Sequence, residues 1–395
     1  MHKYDVIVVG AGPGGASAAY FLSRAGKRVL VLEKETLPRY KACGGGISTS
    51  FLHHTFPFSF EGIIQSEVRS MSYAFWGLTI TMPAPRRAIG MTMRDQLDVH
   101  ILKHACAEVR QRVAVHKVIE TSDRVIIETR GGERFEADYL IGADGANSIV
   151  ARSLGLRRKK NLAAAIEVEV AVQPRILRRF AGRPVFIFGE IRLGYLWIFP
   201  KRQHLSVGIA ALKPKRGELQ ETLSKVMARY GISLANATLH GHPIPLYTRH
   251  EPIATRRTLL VGDAAGLVDP LSGEGIRYAI KSGRLAARAI LSGHPESYPS
   301  LVYRKIGINH TLAIFVSLFF YHLQGLCLCL GAPNPFTTQA IIELLSDRIS
   351  TTEVMLYALL TLPIYLATEV IAGIAGIFGG AQRGERIRAA VYSGR

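Results

Sequence analysis

Residues 4–33 contain a strand, a glycine-rich turn, a helix and a second strand, in the order of a dinucleotide-binding unit. The apolar run at 6–9 predicts a buried parallel strand. Gly10, Gly12 and Gly15 then fill the positions of G-x-G-x-x-G, and Gly26 is placed to end the helix. The second strand leads to Glu33, about 20 residues beyond the glycines, where an acid contacts a ribose hydroxyl. This unit predicts a dinucleotide with its phosphates at the helix N-terminus.

Two later segments extend the same predicted sheet. Residues 138–152 read D-Y-L-I-G-A-D-G-A-N-S-I-V-A-R, a strand that breaks at Asp144. Residues 258–275 read T-L-L-V-G-D-A-A-G-L-V-D-P-L-S-G-E-G, which predicts a strand over 259–261 that ends beside Asp263. Ligands of open α/β sheets bind at that carboxyl edge. Gly273 and Gly275 precede a helix predicted over 276–289, and they offer backbone N–H groups to an electron-rich ring system.

These three segments resemble the motifs of the para-hydroxybenzoate hydroxylase class of FAD proteins. Within that class the chain is similar to the geranylgeranyl reductase family over nearly its whole length. Residues 38–46, P-R-Y-K-A-C-G-G-G, are similar to the family's cysteine–glycine–glycine element beside the flavin. Residues 194–200, G-Y-L-W-I-F-P, are similar to its Y-x-W-x-F-P signature for the isoprenoid channel. The resemblance implies an FAD-dependent reductase that saturates C=C bonds of geranylgeranyl chains on lipids, quinones or chlorophyll precursors.

The resemblance also implies a fold and a set of site residues. The fold is α/β (α+β overall), with a Rossmann-like FAD-binding domain over 1–60, 92–162 and 250–295. An inserted antiparallel-sheet substrate domain covers 61–91 and 163–249, and an apolar helical region covers 296–395. Arg94, on a helix predicted over 92–107, and Val118, through its backbone, are expected to contact FAD. The expected cofactor contacts are Gly10, Gly12, Pro13, Gly14, Gly15, Glu33, Lys34, Gly44, Gly45, Arg94, Val118, Asp144, Gly262, Asp263, Pro270, Gly273, Gly275 and Ile276. The expected substrate contacts are Tyr195, Trp197, Phe199 and Pro200, and no metal is expected.

The predicted chemistry needs a hydride and a proton for each double bond. Because no side chain supplies a hydride, a reduced flavin must supply it. Cys43 is the candidate beside the flavin that gives the proton or shapes the cavity, and a small buried hydrophobe is the alternative. Tyr195, Trp197 and Phe199 alternate along a predicted strand, so their rings face one side. They indicate a wall for an isoprenoid chain, with ordinary core packing as the alternative.

Other functions and the electron donor stay open at this point. The sequence holds one dinucleotide fingerprint, so NADPH would dock transiently, and a ferredoxin is the alternative donor. A flavin-dependent monooxygenase of an apolar substrate shares the motifs around Asp144 and Asp263, and a flavoprotein that only relays electrons is a third hypothesis. Halogenases of this class carry W-x-W-x-I-P, whereas the tryptophans here are Trp76 and Trp197.

The last third of the chain and its charge point to a membrane. Residues 312–332 and 354–380 are each apolar over the ~20 residues that cross a bilayer. They predict helices that lie in one leaflet or line a channel, or a two-span hairpin followed by Arg383, Arg386 and Arg388. The net charge of +19 comes partly from clusters at 157–160, 175–179, 213–216 and 256–257. Such clusters favour an anionic membrane surface, and a merely solvated surface is the alternative.

Two partner and compartment expectations follow from motifs that the sequence lacks. No nucleic-acid-binding signature accompanies the basic clusters, so nucleic acid is not expected as a partner. Cys327 and Cys329 lie in an apolar stretch without partners at metal-ligand spacing, and we interpret them as core or lipid-facing thiols. With 4 cysteines and no apolar leader before the first strand, we expect the flavin domain to face the cytoplasm, on the membrane surface.

Overall fold

The computed structural model describes residues 3–248, 251–331, 334–379 and 381–392. The strands are β1 (Lys3–Val9), β2 (Val29–Leu32), β3 (Gly46–Ser48), β4 (Ile64–Glu67), β5 (Ser70–Phe75), β6 (Leu78–Pro83), β7 (Ile89–Thr92), β8 (Glu108–Arg110), β9 (Val115–Glu120), β10 (Val125–Thr129), β11 (Arg134–Gly142), β12 (Asn161–Val170), β13 (Val185–Phe188), β14 (Gly194–Pro200), β15 (Leu205–Leu212), β16 (His240–Leu246) and β17 (Thr258–Leu260). The helices are α1 (Pro13–Arg24), α2 (Thr49–Thr55), α3 (Arg94–Lys103), α4 (Ile149–Ser153), α5 (Pro174–Phe180), α6 (Glu218–Arg229), α7 (Ile276–Leu291), α8 (Tyr298–Val302), α9 (Ile308–His322), α10 (Gln324–Gly331), α11 (Pro335–Leu345), α12 (Thr351–Gly379) and α13 (Ala381–Tyr392).

The first sheet has seven strands and contains the predicted dinucleotide unit. Its order is β8-β2-β1-β11-β10-β9, and β17 also pairs with β11. β1 pairs in parallel with β2 and with β11, and β17 joins β11 in parallel. Val6, Ile7 and Val8 are fully buried, as expected for a parallel strand covered on both faces. The predicted strand–helix–strand unit and the added strand before Asp263 are therefore confirmed.

The second sheet also has seven strands, in the order β16-β12-β15-β14-β13-β5-β6. Its pairs are antiparallel except for β13 with β5. One face packs Ile198 and Val207 against Leu223 and Val226 of α6. The opposite face carries Tyr195, Trp197 and Phe199. This face forms a wall of the candidate site.

A third sheet, β3-β7-β4, holds the Cys43 segment against the helix that carries Arg94. β3 begins directly after Cys43, Gly44 and Gly45, and Gly46 pairs with Met91 on β7. β7 leads directly into α3, so this pairing fixes Cys43 close to Arg94. Helix α3 ends at Lys103, four residues before its predicted end, because residues 108–110 form edge strand β8 of the first sheet.

The first apolar C-terminal segment is not one long helix, contrary to what the two-span hairpin requires. Helix α9 ends at His322 and α10 begins at Gln324, so the run breaks at Leu323. The Gln324 side chain at the break accepts a hydrogen bond of 3.1 Å from the Gly189 N–H. The predicted segment ends, Ala332 and Gly380, lie outside the described residues.

The second apolar segment forms one long, mostly exposed helix. Within α12, Thr351–Ile377 is long and apolar enough to cross a membrane, with a mean hydropathy of 1.8 and 17% of its most apolar window buried. Its acidic residue Glu369 is paired: Arg388 lies 2.9 Å away and the Tyr392 hydroxyl donates a hydrogen bond of 2.8 Å. Because both partners lie on α13, the two helices form a closed hairpin.

Candidate active site

An elongated crevice of about 680 Å³ runs along the carboxyl ends of β1, β2, β11 and β17. The glycine-rich turn, the segment after each strand and the start of α7 form its walls. The predicted cofactor residues that line it are Gly10, Gly12, Pro13, Gly14, Glu33, Lys34, Arg94, Asp144, Gly262, Asp263, Gly275 and Ile276. The structure therefore brings most of the predicted set together at the edge where α/β sheets bind ligands.

The glycine-rich turn is held in shape by backbone approach and by Glu33. Gly10 has φ +99°, a conformation that costs glycine little, and a Cβ at Gly15 would collide with the Gly10 carbonyl oxygen. The buried Glu33 carboxylate accepts a hydrogen bond of 2.8 Å from the Ala11 N–H. The Nε atom of Arg39 lies 3.7 Å from the same Glu33 carboxylate. Glu33 thus braces the turn, and its contact with a ribose stays a prediction.

Two arginines make the turn a site for an anionic group. Asp98, almost fully buried, binds Arg94 through two bonds of 2.9 Å and lies 3.4 Å from Arg39. A Cβ at Gly12 would be 3.7 Å from Arg94 Nη2 and 3.8 Å from Arg39 Nη2. Within the described residues, Arg39 Nη1 is buried without a hydrogen-bond partner. Two guanidinium groups beside a helix N-terminus fit the diphosphate of FAD.

Asp144 and Asp263 line the crevice in different ways. The Asp144 carboxylate accepts hydrogen bonds of 2.6 Å from both the Ser148 hydroxyl and the Ile149 N–H, so it caps α4. Burial raises the pKa of Asp144. Asp263 follows β17 and is about a quarter exposed, at the place where the crevice meets a second cavity. Asp263 is therefore the better placed of the two acids to accept a ligand hydroxyl.

Four predicted contacts, three with the cofactor and one with the substrate, line neither this crevice nor the cavity that adjoins it. Val118 is buried, and its N–H donates a hydrogen bond of 3.2 Å to Ser153 Oγ. The crevice is lined instead by Val113, Ala114 and Val115. Gly15 packs under the turn, and Pro200 is buried at the end of β14. Pro270 lines a different, apolar cavity. The structure therefore lines the crevice with the segment that enters β9 and not with Val118, and the contact of either with FAD stays a prediction.

The second cavity, of about 210 Å³, joins the crevice at Lys41, Arg94, Asp263, Gly275 and Ile276. Its walls include the predicted residues Cys43, Gly44, Gly45, Gly273, Tyr195, Trp197 and Phe199. The aromatic centroids are 6.1 Å apart for Tyr195 and Trp197, and 6.2 Å apart for Trp197 and Phe199. The three rings form one stripe, as their alternation predicted.

The Cys43 segment lies directly against this stripe. A Cβ at Gly44 would lie 2.8 Å from the Phe199 ring and 3.2 Å from Trp197 Nε1, so only glycine fits without a shift. The Gly45 N–H donates a hydrogen bond of 3.4 Å to the Cys43 sulfur. The buried amine of Lys201 donates a hydrogen bond of 2.6 Å to the Gly44 carbonyl and one of 3.0 Å to the Thr92 carbonyl. Lys201 thereby ties the segment to β7, and burial lowers the pKa of its amine.

A polar group of side chains lies where the cavities meet. Lys41 Nζ is 3.0 Å from His242 Nε2, which lies 3.9 Å from Asp263. Burial, followed by the nearby Arg94, lowers the pKa of Lys41 to about 8. Glu167 on β12 lines the same cavity and is 2% exposed. The junction can therefore hold both an anion and exchangeable protons.

The sequence predictions did not include several of these groups. Asp98 had a usable signal, since it follows Arg94 by four residues on one helix face. Glu167 and Glu169 also had one, because two acids alternate in an otherwise apolar strand. No sequence signal pointed to Arg39, Lys41 or Lys201, because only the folded chain shows which backbone groups or charges these side chains face.

A third cavity, of about 290 Å³, continues from the second at Tyr195, Ala210, Ile244 and Gly273. Ile314, Ser317, Leu318 and Tyr321 of α9 form its far side. At the boundary between the second and third cavities, the Tyr195 hydroxyl donates a hydrogen bond of 2.6 Å to the Ser272 carbonyl. Within the described residues, no group of three or more His, Cys, Asp or Glu is arranged to hold a metal ion.

The comparisons with known proteins agree with this geometry. The family described as "FAD binding domain" matches residues 3–53 and 86–292. Fold, crevice and match together define the chain as a flavoprotein that binds FAD.

Named relatives place the chain more closely. It is 32% identical to geranylgeranyl diphosphate reductase from Oryza sativa, over 74% of this chain and 67% of the relative. It is 31% identical to digeranylgeranylglycerophospholipid reductase 2 from Methanothermobacter thermautotrophicus, over 78% of this chain and 85% of the relative. A geranylgeranyl bacteriochlorophyll reductase-like protein from Thermoplasma acidophilum superposes with a TM-score of 0.73 at 26% identity, over 91% and 96% of the two chains. The chain belongs to the geranylgeranyl reductase family.

Proposed function

We propose that this chain saturates carbon–carbon double bonds of a geranylgeranyl chain carried by a membrane lipid, a quinone or a chlorophyll-type acceptor. The observation that carries the proposal is the aromatic stripe packed against the Cys43–Gly44 segment, at the junction with the FAD crevice. FAD, when reduced, supplies the hydride. The side chains of the junction position the alkene and exclude water.

The cofactor contacts are assigned by this proposal as follows. Gly12, Arg39 and Arg94 bind the diphosphate, Glu33 faces a ribose, and Asp263 accepts hydroxyls of the ribityl chain. The supporting features are the two guanidinium groups beside Gly12 and the partly exposed Asp263 carboxylate that follows β17. Cys43, Gly44 and Gly45 lie beside the reacting end of the cofactor, where Cys43 shapes the cavity or holds a proton.

The prenyl chain enters from the side of the C-terminal helices in this account. The cavity beside the stripe adjoins the cavity bounded by α9, and the two share the lining residues Tyr195, Ala210, Ile244 and Gly273. We assign both cavities to the path of the apolar chain. Each buried CH₂ contributes about 0.8 kcal/mol, which favours burial of a long chain over a short one. Large apolar side chains of α9 and α12 are exposed beyond that path, including Phe315, Phe319, Leu359 and Leu360.

We further propose that the protein docks on the cytoplasmic face of an anionic membrane through these helices. Its net charge of +19 supports this orientation. Part of the charge is internal, since Arg157 is 2% exposed. Electrons come from NADPH or from an acidic donor protein such as a ferredoxin.

An anaerobic single-turnover experiment tests the proposed function. The FAD of the purified protein is reduced with dithionite, and a geranylgeranyl lipid is added in detergent without oxygen. We expect the flavin to reoxidise as the alkene is saturated, whereas the phytanyl lipid, which has no double bonds, leaves it reduced. Reoxidation that requires oxygen for every substrate would instead support the monooxygenase alternative.

A further inference from the structure

Two acids, Glu167 and Glu169, lie on the cavity face of β12, a strand that is otherwise apolar from Leu162 to Val170. Glu167 is opposite Gly208 on β15, and Gly208 is opposite Trp197 on β14. A side chain at Gly208 would collide with the Trp197 ring, so the indole lies over β15. The apolar stripe and the acids therefore share one face, and Glu167 lines the cavity beside the stripe.

The contacts of Glu167 suit either protonation state of its carboxyl. The Ser206 hydroxyl bonds Oε1 at 2.9 Å, and the Tyr40 hydroxyl bonds Oε2. A hydroxyl can donate to a carboxylate or accept from a carboxylic acid, so neither state leaves an unpaired group. Burying a carboxyl at 2% exposure is costly in its charged form. The site thus favours a carboxyl that holds a proton and can release it into the cavity.

Two side chains near Glu167, those of Glu169 and His204, are more exposed than Glu167 itself. Glu169 is two residues along the same strand, so its side chain projects from the same face as Glu167. Glu169 Oε2 is 2.6 Å from His204 Nε2, and the two side chains are 20% and 26% exposed. Exposure thus rises stepwise from Glu167 to Glu169 to His204. Such an order is what proton exchange with bulk water needs.

The surrounding charges separate the proton affinities of the two acids. Burial, and then the neighbouring Glu169, raises the pKa of Glu167 well above its usual range. Burial opposes ionisation of Glu169, but its bond to His204 lowers its pKa below the usual range. The other titratable groups that face the pair are Tyr40, Lys41, Cys43, Lys201, His240 and His242. Carboxyls with separated pKa values divide acid and base roles.

We propose that Glu167, Glu169 and His204 form a proton-transfer path from solvent to the alkene, with Glu167 as the last donor. The inference rests on the proposed reductase function. For each double bond, one carbon gains a hydride, with both electrons, from the reduced cofactor, and the other gains the proton of Glu167. The Glu167 carboxylate then regains a proton through Glu169 and His204 from water. Two hydrogens are added to the substrate, and the acids return to their starting state.

Glu167→Gln tests the last step, because it keeps the shape and hydrogen bonds but cannot give up a proton in the same way. We expect anaerobic saturation of a geranylgeranyl lipid to slow by roughly 10²–10⁴-fold, the range of general acid catalysis. In the wild type the rate falls as pH rises through the pKa of Glu167, and the variant loses that dependence. FAD affinity stays unchanged in the variant, and Glu190→Gln, whose acid pairs with Arg229 outside the cavity, is the matched control. A Glu167→Gln protein with wild-type rate and pH profile would overturn the proposal.

An infrared measurement tests the path without any substrate, so it separates failure of this inference from failure of the proposed function. The FAD-bound wild type should show a carboxylic acid C=O band at neutral pH that Glu167→Gln lacks. On transfer to D₂O that band should shift quickly in the wild type and more slowly in His204→Phe and Glu169→Gln. A spectrum without a band sensitive to Glu167→Gln, or exchange unaffected by either path variant, would refute the path even where alkene saturation is observed.

Discussion

Cys43 and Glu167 line one cavity, so at the residue scale the question is which of them gives up a proton. Because the proposed path supplies Glu167 with protons from solvent, we expect Cys43→Ala to slow alkene saturation by less than about tenfold and to keep the pH dependence. The FAD absorption spectrum should stay unchanged, since the arginines and the glycine-rich turn lie elsewhere. Single-turnover flavin reoxidation over a range of pH measures both effects.

Cys106→Ala is the matched control for this variant, because Cys106 is exposed and remote from the cavity. A loss of about 10²–10⁴-fold in Cys43→Ala alone, with the pH dependence gone, would transfer the donor role from Glu167 to Cys43.

We expect Lys41 to make FAD binding depend on pH. The pKa of its amine is lowered to about 8 by burial and by Arg94, and an anionic ligand at the junction of the two cavities favours the charged form. Binding then takes up a proton above about pH 8, so the affinity should fall by up to about tenfold per pH unit. Quenching of flavin fluorescence by apoprotein, from about pH 7 to 9.5, measures the change.

Lys41→Met should bind FAD with a much flatter dependence on pH over this interval. Lys117→Met is the control, because Lys117 is largely exposed on β9 and should keep the wild-type profile. An affinity that does not change with pH in the wild type would contradict the assignment of Lys41 to the junction.

At the scale of elements, α12 is the part expected to meet lipid. Leu359 and Leu360 are 68% and 63% exposed, and α13 covers the helix near Glu369 rather than near these leucines. Transfer of one such side chain from water to an apolar phase is worth about 1.5–3 kcal/mol. Leu359→Ser with Leu360→Ser should therefore reduce binding to anionic vesicles by more than about tenfold in a flotation assay.

Leu291→Ser, at the exposed end of α7, is the control for these substitutions and should leave vesicle binding unchanged. Release of the wild type by salt alone, with no effect of the leucine variants, would contradict the apolar mode and leave the basic surface as the contact.

The sequence predicted what local patterns determine. The strand, glycine turn and helix at residues 4–33 are contiguous, and the stripe of three aromatic residues needs only the alternation of a strand. It could not predict groups that depend on distant partners. Lys201 donates a hydrogen bond to the Gly44 carbonyl from a distant strand. Residues 113–115 line the crevice, and Val118 does not. Arg157 is buried although it belongs to a basic run. The break at Leu323 likewise follows from packing at Gly189, which hydropathy does not report.

At the scale of the whole molecule, the FAD crevice and two further cavities lie side by side between the first sheet and α9, each sharing lining residues with the next. The first sheet supplies the two-arginine site and the second sheet supplies the apolar wall. In the proposed function, the C-terminal helices supply the approach from lipid. A chain that enters from α9 would reach the junction at Cys43 and Glu167 while its head group stays outside. In the proposed function, this arrangement lets the fold act on the prenyl chain without recognising the rest of the molecule.

The most direct test of this account is the mass of the product formed without oxygen. Dithionite-reduced protein is incubated anaerobically with a geranylgeranyl lipid in detergent, and the lipid is analysed by mass spectrometry. We predict that the substrate gains two hydrogens for each double bond reduced, with no oxygen incorporated. A lipid that stays unchanged without oxygen, and gains an oxygen atom when air is admitted, would contradict the central claim.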